Sequence, residues 1–597
     1  MSATPTTFAN NVQIRRWSLA RRFSIRALTL GITLAVVSYL VLVPLFMLLY
    51  ASVKSTEDKL PFESTVTTLG NYAAVFTSPS TLPIFLNTLL FTVGSLAVGL
   101  PLAILLAWLL ERTAIPARAW IANLILVPMT IPSLLSAIAW IQLLDPRIGL
   151  INVALRGLFG IDADTGPLDI YSLYGMCFVQ GLRLVPSAYL MIAASFRAMD
   201  PSLEEQSAMA GQNIAQTTLR VTLPIMRPAL LAALIYFIIV VIESFDIPGL
   251  LGFTARIRVL STAIYWATHS EVGLPDYGLA SALGTIVLGA ALLLMWLYQR
   301  LTAHQERFAT ITGKGYRPRQ VRLGAWTAPA AVFCLLYVLI AVLLPFLMLL
   351  WTSVQPFYAP PSAESLARAS LEGYTNIWRD GSIVRALWNT TVLALVTSAA
   401  TIVLAVLVSW FVVRRRGQGG GLANYLATVS FLPQCVPSIV IGLAFIFVYV
   451  RFPVPIYGTL WIIALAMTTR YLAYSSRATT AALMQVHGEL EEASQMSGAP
   501  WTRTLRRITM PLLAPAMINV FFWVAVHAMQ ELSMALMLYN PNTVVVSTMI
   551  WSMWQNGRTA DAAVLGVLLI FLSALLLLGG QAVSYLRRGS DAQMPSQ

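Results

Sequence analysis

Twelve apolar runs, each long enough to cross a bilayer, are what this chain must accommodate. They fall at about 27 to 53, 84 to 110, 119 to 144, 171 to 196, 229 to 251 and 279 to 298, then at about 325 to 354, 383 to 413, 422 to 450, 456 to 476, 514 to 538 and 560 to 586. Hydrocarbon offers the backbone no hydrogen-bond partner, so runs of this length are stable only as helices. Soluble domains carry about a quarter charged residues. Here 58% of the 597 residues are hydrophobic and 11% are charged, which excludes a soluble enzyme. The expected fold class is an all-α membrane protein with twelve transmembrane helices.

The formal charge of +13 is explained by the positive-inside rule rather than by nucleic acid. With the N-terminus inside, 25 Lys and Arg fall on inside segments and ten on outside segments. Both termini are therefore expected in the cytoplasm. The first apolar run follows Arg15, Arg16, Arg21, Arg22 and Arg26, is too long for a signal-peptide core and has no small-residue cleavage site. It reads as an uncleaved signal anchor, with Arg21-Arg22 a topogenic cluster. Cys177, Cys334 and Cys435 lie inside apolar runs and form no C-x-x-C pair, so neither a disulfide framework nor a zinc site is supported.

The two halves repeat. Val43-Pro44-Leu45-Phe46 recurs as Leu344-Pro345-Phe346-Leu347, Asn87-Thr88 as Asn389-Thr390, and Pro128 and Pro132 as Pro433 and Pro437. The offset, near 301 at first, drops to 287 beyond the third external loop, which locates an insertion in the first half around residues 145 to 170. Six spans per unit is an even number, so the repeats are parallel and related by an axis along the membrane normal.

Between the fourth and fifth spans of each half lies a loop of distinct chemistry. The first runs from Asp200-Pro201-Ser202 through Glu204-Glu205-Gln206-Ser207 to Gly211 and Leu223-Pro224; the second runs through Glu491-Glu492-Ala493-Ser494 to Gly498 and Met510-Pro511. Asp200 or Ser202 can cap a helix whose first turn carries the glutamates, the glycines permit a turn, and Pro224 and Pro511 are expected to end a second short helix. One such loop could be an amphipathic helix on the inner leaflet; two with identical spacing point elsewhere. They resemble the Glu-Ala-Ala, three residues, Gly, then Leu-Pro signature of the membrane-spanning subunits of binding-protein-dependent ABC importers. The chain departs from it at Gln206-Ser207, Ser494 and Met510. The fused arrangement, with Gln530-Glu531-Leu532 in the eleventh span, is most like the ferric-iron importer branch.

This resemblance implies a MetI-like architecture of two parallel six-helix repeats. Its parts are a cytoplasmic segment 1–26, transmembrane domains 27–299 and 323–587 joined by a linker 300–322, and a tail 588–597. It implies that Glu204, Glu205, Gly211, Leu223 and Pro224, and Glu491, Glu492, Gly498, Met510 and Pro511, form two docking elements for a cytoplasmic ABC ATPase, present in two copies. A periplasmic substrate-binding protein would deliver the cargo at a bacterial inner membrane. Ferric iron leads among cargoes, beside thiamine, polyamine, phosphonate and sulfate. The external loops are too short to form a capturing domain, so specificity is expected to rest mostly with the binding protein.

The sequence has no G-x-x-x-x-G-K-[ST], since Gly313-Lys314-Gly315 lacks the loop and the hydroxyl, so ATP must be hydrolysed by another chain. No catalytic constellation, cofactor fingerprint or metal-spaced cluster is present either; His269, His304, His487 and His527 are scattered. Arg183 and Arg470 match at the 287 offset, and Glu243, Asp246 and Glu531 follow in the next spans. Charges at this depth cost about 2.5–3.5 kcal/mol each, so an Arg–carboxylate pair is expected within each half, either pinning helices or lining the passage. Proline breaks in the third and ninth spans allow a central cavity or simple packing kinks. The competing class is a twelve-span secondary transporter driven by an ion gradient, which explains the carboxylates but not the paired loops.

Overall fold

The computed structural model describes residues 25–55, 60–200, 202–269, 275–302, 321–415, 420–451 and 455–592; Arg15, Arg16, Arg21, Arg22, Pro201, most of the 300–322 linker, Gly313-Lys314-Gly315, His304 and the end of the tail lie outside them. Among the described residues nine helices are long and apolar enough to cross a membrane, and three bent helix pairs raise that number to as many as twelve. Seven of the apolar runs become uninterrupted helices: Ile25–Ser52, Thr81–Arg112, Leu173–Ala198, Tyr277–Leu301, Gly324–Ser353, Gly381–Arg414 and Thr559–Val583. The run near 456 to 476 becomes the helix Leu460–Met484, which falls outside the nine; Thr468, Thr469, Arg470, Ser475 and Ser476 make it too polar, and all five are buried. The polar face of this helix is packed against protein, while Trp461, Tyr474 and Met484 remain exposed.

The third and ninth runs break where the prolines stand. Residues Val127–Thr130 and Leu432–Cys435 tighten into 3₁₀ turns, and the chain then bends by 97° and 111° into Ser133–Leu144 and Ser438–Tyr449. Pro132 and Pro437 lack an N–H and crowd the carbonyl four residues back, so neither helix can run straight through.

The fifth and eleventh runs differ most from expectation. They begin earlier and stop earlier, as Ile214–Ile242 and Trp501–Gln530. Pro224 and Pro511 do not end a short helix. Immediately before each Leu-Pro or Met-Pro, five residues widen into a π turn, Thr218–Thr222 and Leu505–Thr509, and the helix continues. Leu339–Leu343 does the same ahead of Leu344-Pro345. The wider turn makes room for the proline ring and removes the bond its nitrogen cannot donate.

Beyond Ile242 the chain breaks and folds into a pair, Asp246–Ala255 and Leu260–Thr268, bent by 78°. The second half follows with Ser533–Leu538 and Val546–Gln555. This hairpin explains the repeated Asn-Thr. Thr88 Oγ1 accepts from Leu260 N at 2.9 Å and Thr390 Oγ1 from Val546 N at 2.8 Å, while Asn87 donates to Arg258 O and Asn389 to Val544 O. Each pair satisfies backbone groups at the turn between the hairpin's two helices.

The halves interlock. The first span of each half packs on the broken third span of the other, Ile25–Ser52 on Ser438–Tyr449 and Leu344–Ser353 on Ser133–Leu144. Within the first half, Thr81–Arg112 meets Leu173–Ala198 through small residues; a Cβ on Gly99 would sit 2.6 Å from Gly181 O. All three cysteines are free and buried.

Candidate functional site

Each loop opens on a helix, Ser202–Met209 or Glu489–Met496, with Glu204 and Glu205 or Glu489, Glu491 and Glu492 in the first turn, where carboxylates complement the helix dipole. Asp200 Oδ1 accepts from Ser202 N at 2.9 Å. The helices end on Gly211 and Gly498, at φ of +82° and +80°, a left-handed conformation that glycine adopts without a Cβ clash. The turn then leads into the continuous fifth or eleventh helix, so Leu223, Pro224, Met510 and Pro511 lie inside a helix rather than at its end.

The two glutamates of each pair have different surroundings. Glu491 is buried, and Glu204 has a side-chain exposure of 14%. Glu204 accepts from Thr222 Oγ1 at 2.7 Å and lies 3.6 Å from Arg112 Nη1, while Arg112 Nη2 donates to Met199 O at 3.2 Å. Glu491 accepts from Thr509 Oγ1 at 3.0 Å, Arg414 Nε at 3.2 Å and Trp410 Nε1 at 3.2 Å, while Arg414 Nη2 donates to Val486 O at 3.0 Å. These first glutamates, expected to face a partner, are turned into the bundle, because an arginine at the end of the preceding second or eighth span waits there. Glu205 is half-buried and Glu492 is exposed. On the outer side, Met209 and Met496 stand 88% and 89% exposed at equivalent positions.

Toward the middle of the bundle a cavity of about 310 Å³ is lined by both halves. Arg183, Glu243, Asp246, Arg470 and Glu531 all reach it, with Gln180, Gln434, Tyr471, His527 and Gln530. The expected pairing within each half is not what forms. Arg470 Nη2 donates to both oxygens of Glu243 at 2.7 Å, across the halves, and Nη1 donates to Pro433 O and Val436 O at 2.7 and 3.0 Å. Glu531 instead accepts from Met534 N at 3.2 Å, capping the next short helix, and from Tyr471 OH at 3.4 Å. Arg183 Nη1 donates to Ile131 O at 3.0 Å, and Asp246 accepts from Ser133 and Ser533, one from each half.

The physical reason is the proline breaks. They strand carbonyls at membrane depth, and in each half the arginine is drawn to those carbonyls; for Arg470, Glu243 of the facing half is then within reach. His527 stacks on Trp523 at a centroid distance of 3.9 Å, as a packing residue. Among the described residues no three His, Cys, Asp or Glu side chains converge as a metal site. Sequence reading missed Arg112, Arg414, Thr222 and Thr509 as parts of the loops. Their recurrence in both halves, at offsets of 302 and 287, was the available signal.

Residues 402–588 match the family model described as "Binding-protein-dependent transport system inner membrane component". Over 490 residues, 81% of this chain and 68% of the relative, the sequence is 26% identical to "Ferric transport system permease protein FbpB" of Actinobacillus pleuropneumoniae. Over 449 residues, 74% of this chain and 68% of the relative, it is 27% identical to "Putative ferric transport system permease protein FbpB 1" of Haemophilus influenzae. A solved bacterial ABC transporter "involved in the import of the acidic polysaccharide alginate" aligns with 49% of this chain and 98% of its own at 17% identity, with a TM-score of 0.35. Residues 402–588 therefore carry the inner-membrane component domain of binding-protein-dependent transport systems, and the chain as a whole resembles multi-pass ABC importer permeases of the ferric-transport branch, which are transport subunits rather than enzymes.

Proposed function

We propose that this chain forms the whole translocation path of an ATP-driven importer of ferric iron in a bacterial inner membrane, with both termini cytoplasmic. Residues 27–299 and 323–587 serve as its two transmembrane domains, joined by the linker 300–322. Two copies of a cytoplasmic ABC ATPase dock on the loops at Glu205 and Gly211 and at Glu492 and Gly498, and a periplasmic binding protein delivers the cargo. ATP-driven closure of the ATPase pair draws the loops together and rocks the halves outward; ADP release resets them.

The observation that carries this reading is the pair of matched loop helices, each ending on a left-handed glycine and presenting an exposed methionine. An unpartnered apolar tip beside acidic residues suits a groove on another protein. The cargo assignment rests on the two ferric-transport relatives and on the three carboxylates that reach the central cavity.

The test is an affinity pull-down of the detergent-solubilised chain, wild type beside a Glu205→Ala, Glu492→Ala double variant, with mass spectrometry of what is recovered. An ATPase recovered with wild type and lost with the variant supports the importer. An intact, monodisperse wild type that brings down no ATPase from its native membrane returns the ion-coupled secondary transporter to first place. Uptake of radiolabelled ferric iron into proteoliposomes, with thiamine, polyamine, phosphonate and sulfate as competitors, decides the cargo.

A further inference from the structure

Two clusters with the same four parts occupy equivalent positions at the loop end of the bundle. Arg112 ends the second span and Arg414 the eighth; Met199 and Val486 supply carbonyls beyond the fourth and tenth; Glu204 and Glu491 come from the loop helices; Thr222 and Thr509 close the π turns that open the fifth and eleventh. Thr222 and Thr509 have no exposed surface and Glu491 is 4% exposed, so these are interior bonds. A second tie, Ser207 to Thr217 at 2.8 Å and Ser494 to Thr504 at 2.9 Å, fastens each loop helix to the following one.

We infer that Arg112 and Arg414 are positioning residues which, through Glu204 and Glu491, lock each loop helix to the ends of three spans so that loop movement is passed into the bundle. The inference rests on the loops being ATPase-docking elements, and it divides each glutamate pair by task. Glu205 and Glu492 lie toward the partner, while Glu204 and Glu491 transmit. A loop helix joined to the fifth or eleventh span only through its glycine turn could pivot there when pushed. The guanidinium clamp removes that freedom because one rigid fork holds both the loop carboxylate and a carbonyl at the end of the neighbouring span.

The experiment uses the permease–ATPase complex with spin labels at two equivalent exposed positions, Tyr174→Cys and Trp461→Cys, the native cysteines being buried. Label-to-label distance is measured with and without ATP, and ATPase recovery is measured on the same samples. Glu491→Gln is expected to retain the ATPase as wild type does, while the ATP-driven population shift falls about tenfold. Glu204→Gln is expected to show a smaller loss in the same direction.

A wild-type shift in Glu491→Gln overturns the inference. Loss of the ATPase from Glu491→Gln also overturns it, since the residue would then be a docking contact. If Glu491→Gln does not purify as a monodisperse protein, Thr509→Val removes one bond of the same cluster and must reduce the shift; an unchanged shift is again decisive against the clamp. The docking reading fails separately, through retention of the ATPase by the Glu205→Ala, Glu492→Ala variant.

Discussion

The first and second loop clusters share a hydrogen-bond skeleton and differ in what fills the space around it. In the second, Arg414 uses two nitrogens on Glu491, and Trp410 adds an indole bond and packs edge-on against Trp501 with ring centroids 5.1 Å apart. In the first, the ion pair is longer, Arg112 Nε finds no acceptor, and a groove of about 1010 Å³ lies open beside Glu204, Glu205 and Met209. Trp108 is the counterpart of Trp410, but Ile214 stands where the second half has Trp501. The end of the linker borders this groove instead, with Val321 bridged to the backbone of Arg112 and Ala114. Duplication has kept the arginine, glutamate, threonine and main-chain carbonyl that set the geometry, and has let the number of bonds on the glutamate and the packing around it diverge.

The largest test of this contrast lies in the central cavity, where the halves also differ. Arg470→Ala strands the Glu243 carboxylate and the Val436 carbonyl and takes one of two donors from Pro433 O, and is expected to cost about 3–5 kcal/mol. Arg183→Ala frees one carbonyl, at about 1–3 kcal/mol. Thermal unfolding of the detergent-purified variants ranks them, and a greater loss at Arg183 would reverse the asymmetry. Exchanging charges sharpens it further. Arg470→Glu combined with Glu243→Arg should recover part of the lost stability, whereas Arg470→Glu combined with Glu531→Arg should not.

Next in size is the packing difference at the loops. Trp501→Ala is expected to destabilise by about 2 kcal/mol, and Ile214→Ala by less than about 1 kcal/mol, since Ile214 is 39% exposed beside an open groove. Ile214→Trp should be tolerated and should bury part of that groove, which protection of the first loop from proteolysis would register. The smallest difference between the halves is expected at the loop glycines, which should show no asymmetry. Gly211→Ala and Gly498→Ala each force a left-handed alanine at about 1 kcal/mol, with no atom within 4 Å of the new Cβ at either site. Unequal losses in thermal unfolding would mean that the two loop turns are not equivalent.

Much of this architecture was legible in the chain itself. Apolar runs announce helices because hydrocarbon leaves the backbone no other partner, the offset between halves exposes the duplication, and Gly211 and Gly498 mark turns that only a residue without a Cβ enters freely. Pro132 and Pro437 marked real breaks. Pro224 and Pro511 looked the same locally and did not break their helices, because a π turn is available wherever surrounding helices hold the segment straight. The fifth and eleventh apolar runs likewise hid a break, since Glu243-Ser244-Phe245 and Glu531-Leu532 interrupt a helix only when other elements take up the freed groups. Ser261 Oγ bonds Ser244 O at 2.6 Å and Ser547 Oγ bonds Glu531 O at 2.8 Å.

Partner choice was the part that only the tertiary structure decided. Sequence alone places Arg470, Glu243 and Glu531 at membrane depth and requires that charge be compensated there, but two carboxylates satisfy that requirement equally well on paper. Glu531 is taken by the N-terminus of the next helix, and the crossed packing of the halves brings Glu243 to Arg470. Likewise Glu204 and Glu205, or Glu491 and Glu492, are chemically identical neighbours. The helix turns one toward an arginine at the end of a neighbouring span and the other about 100° away, a distinction of direction that exists only once the chain is folded.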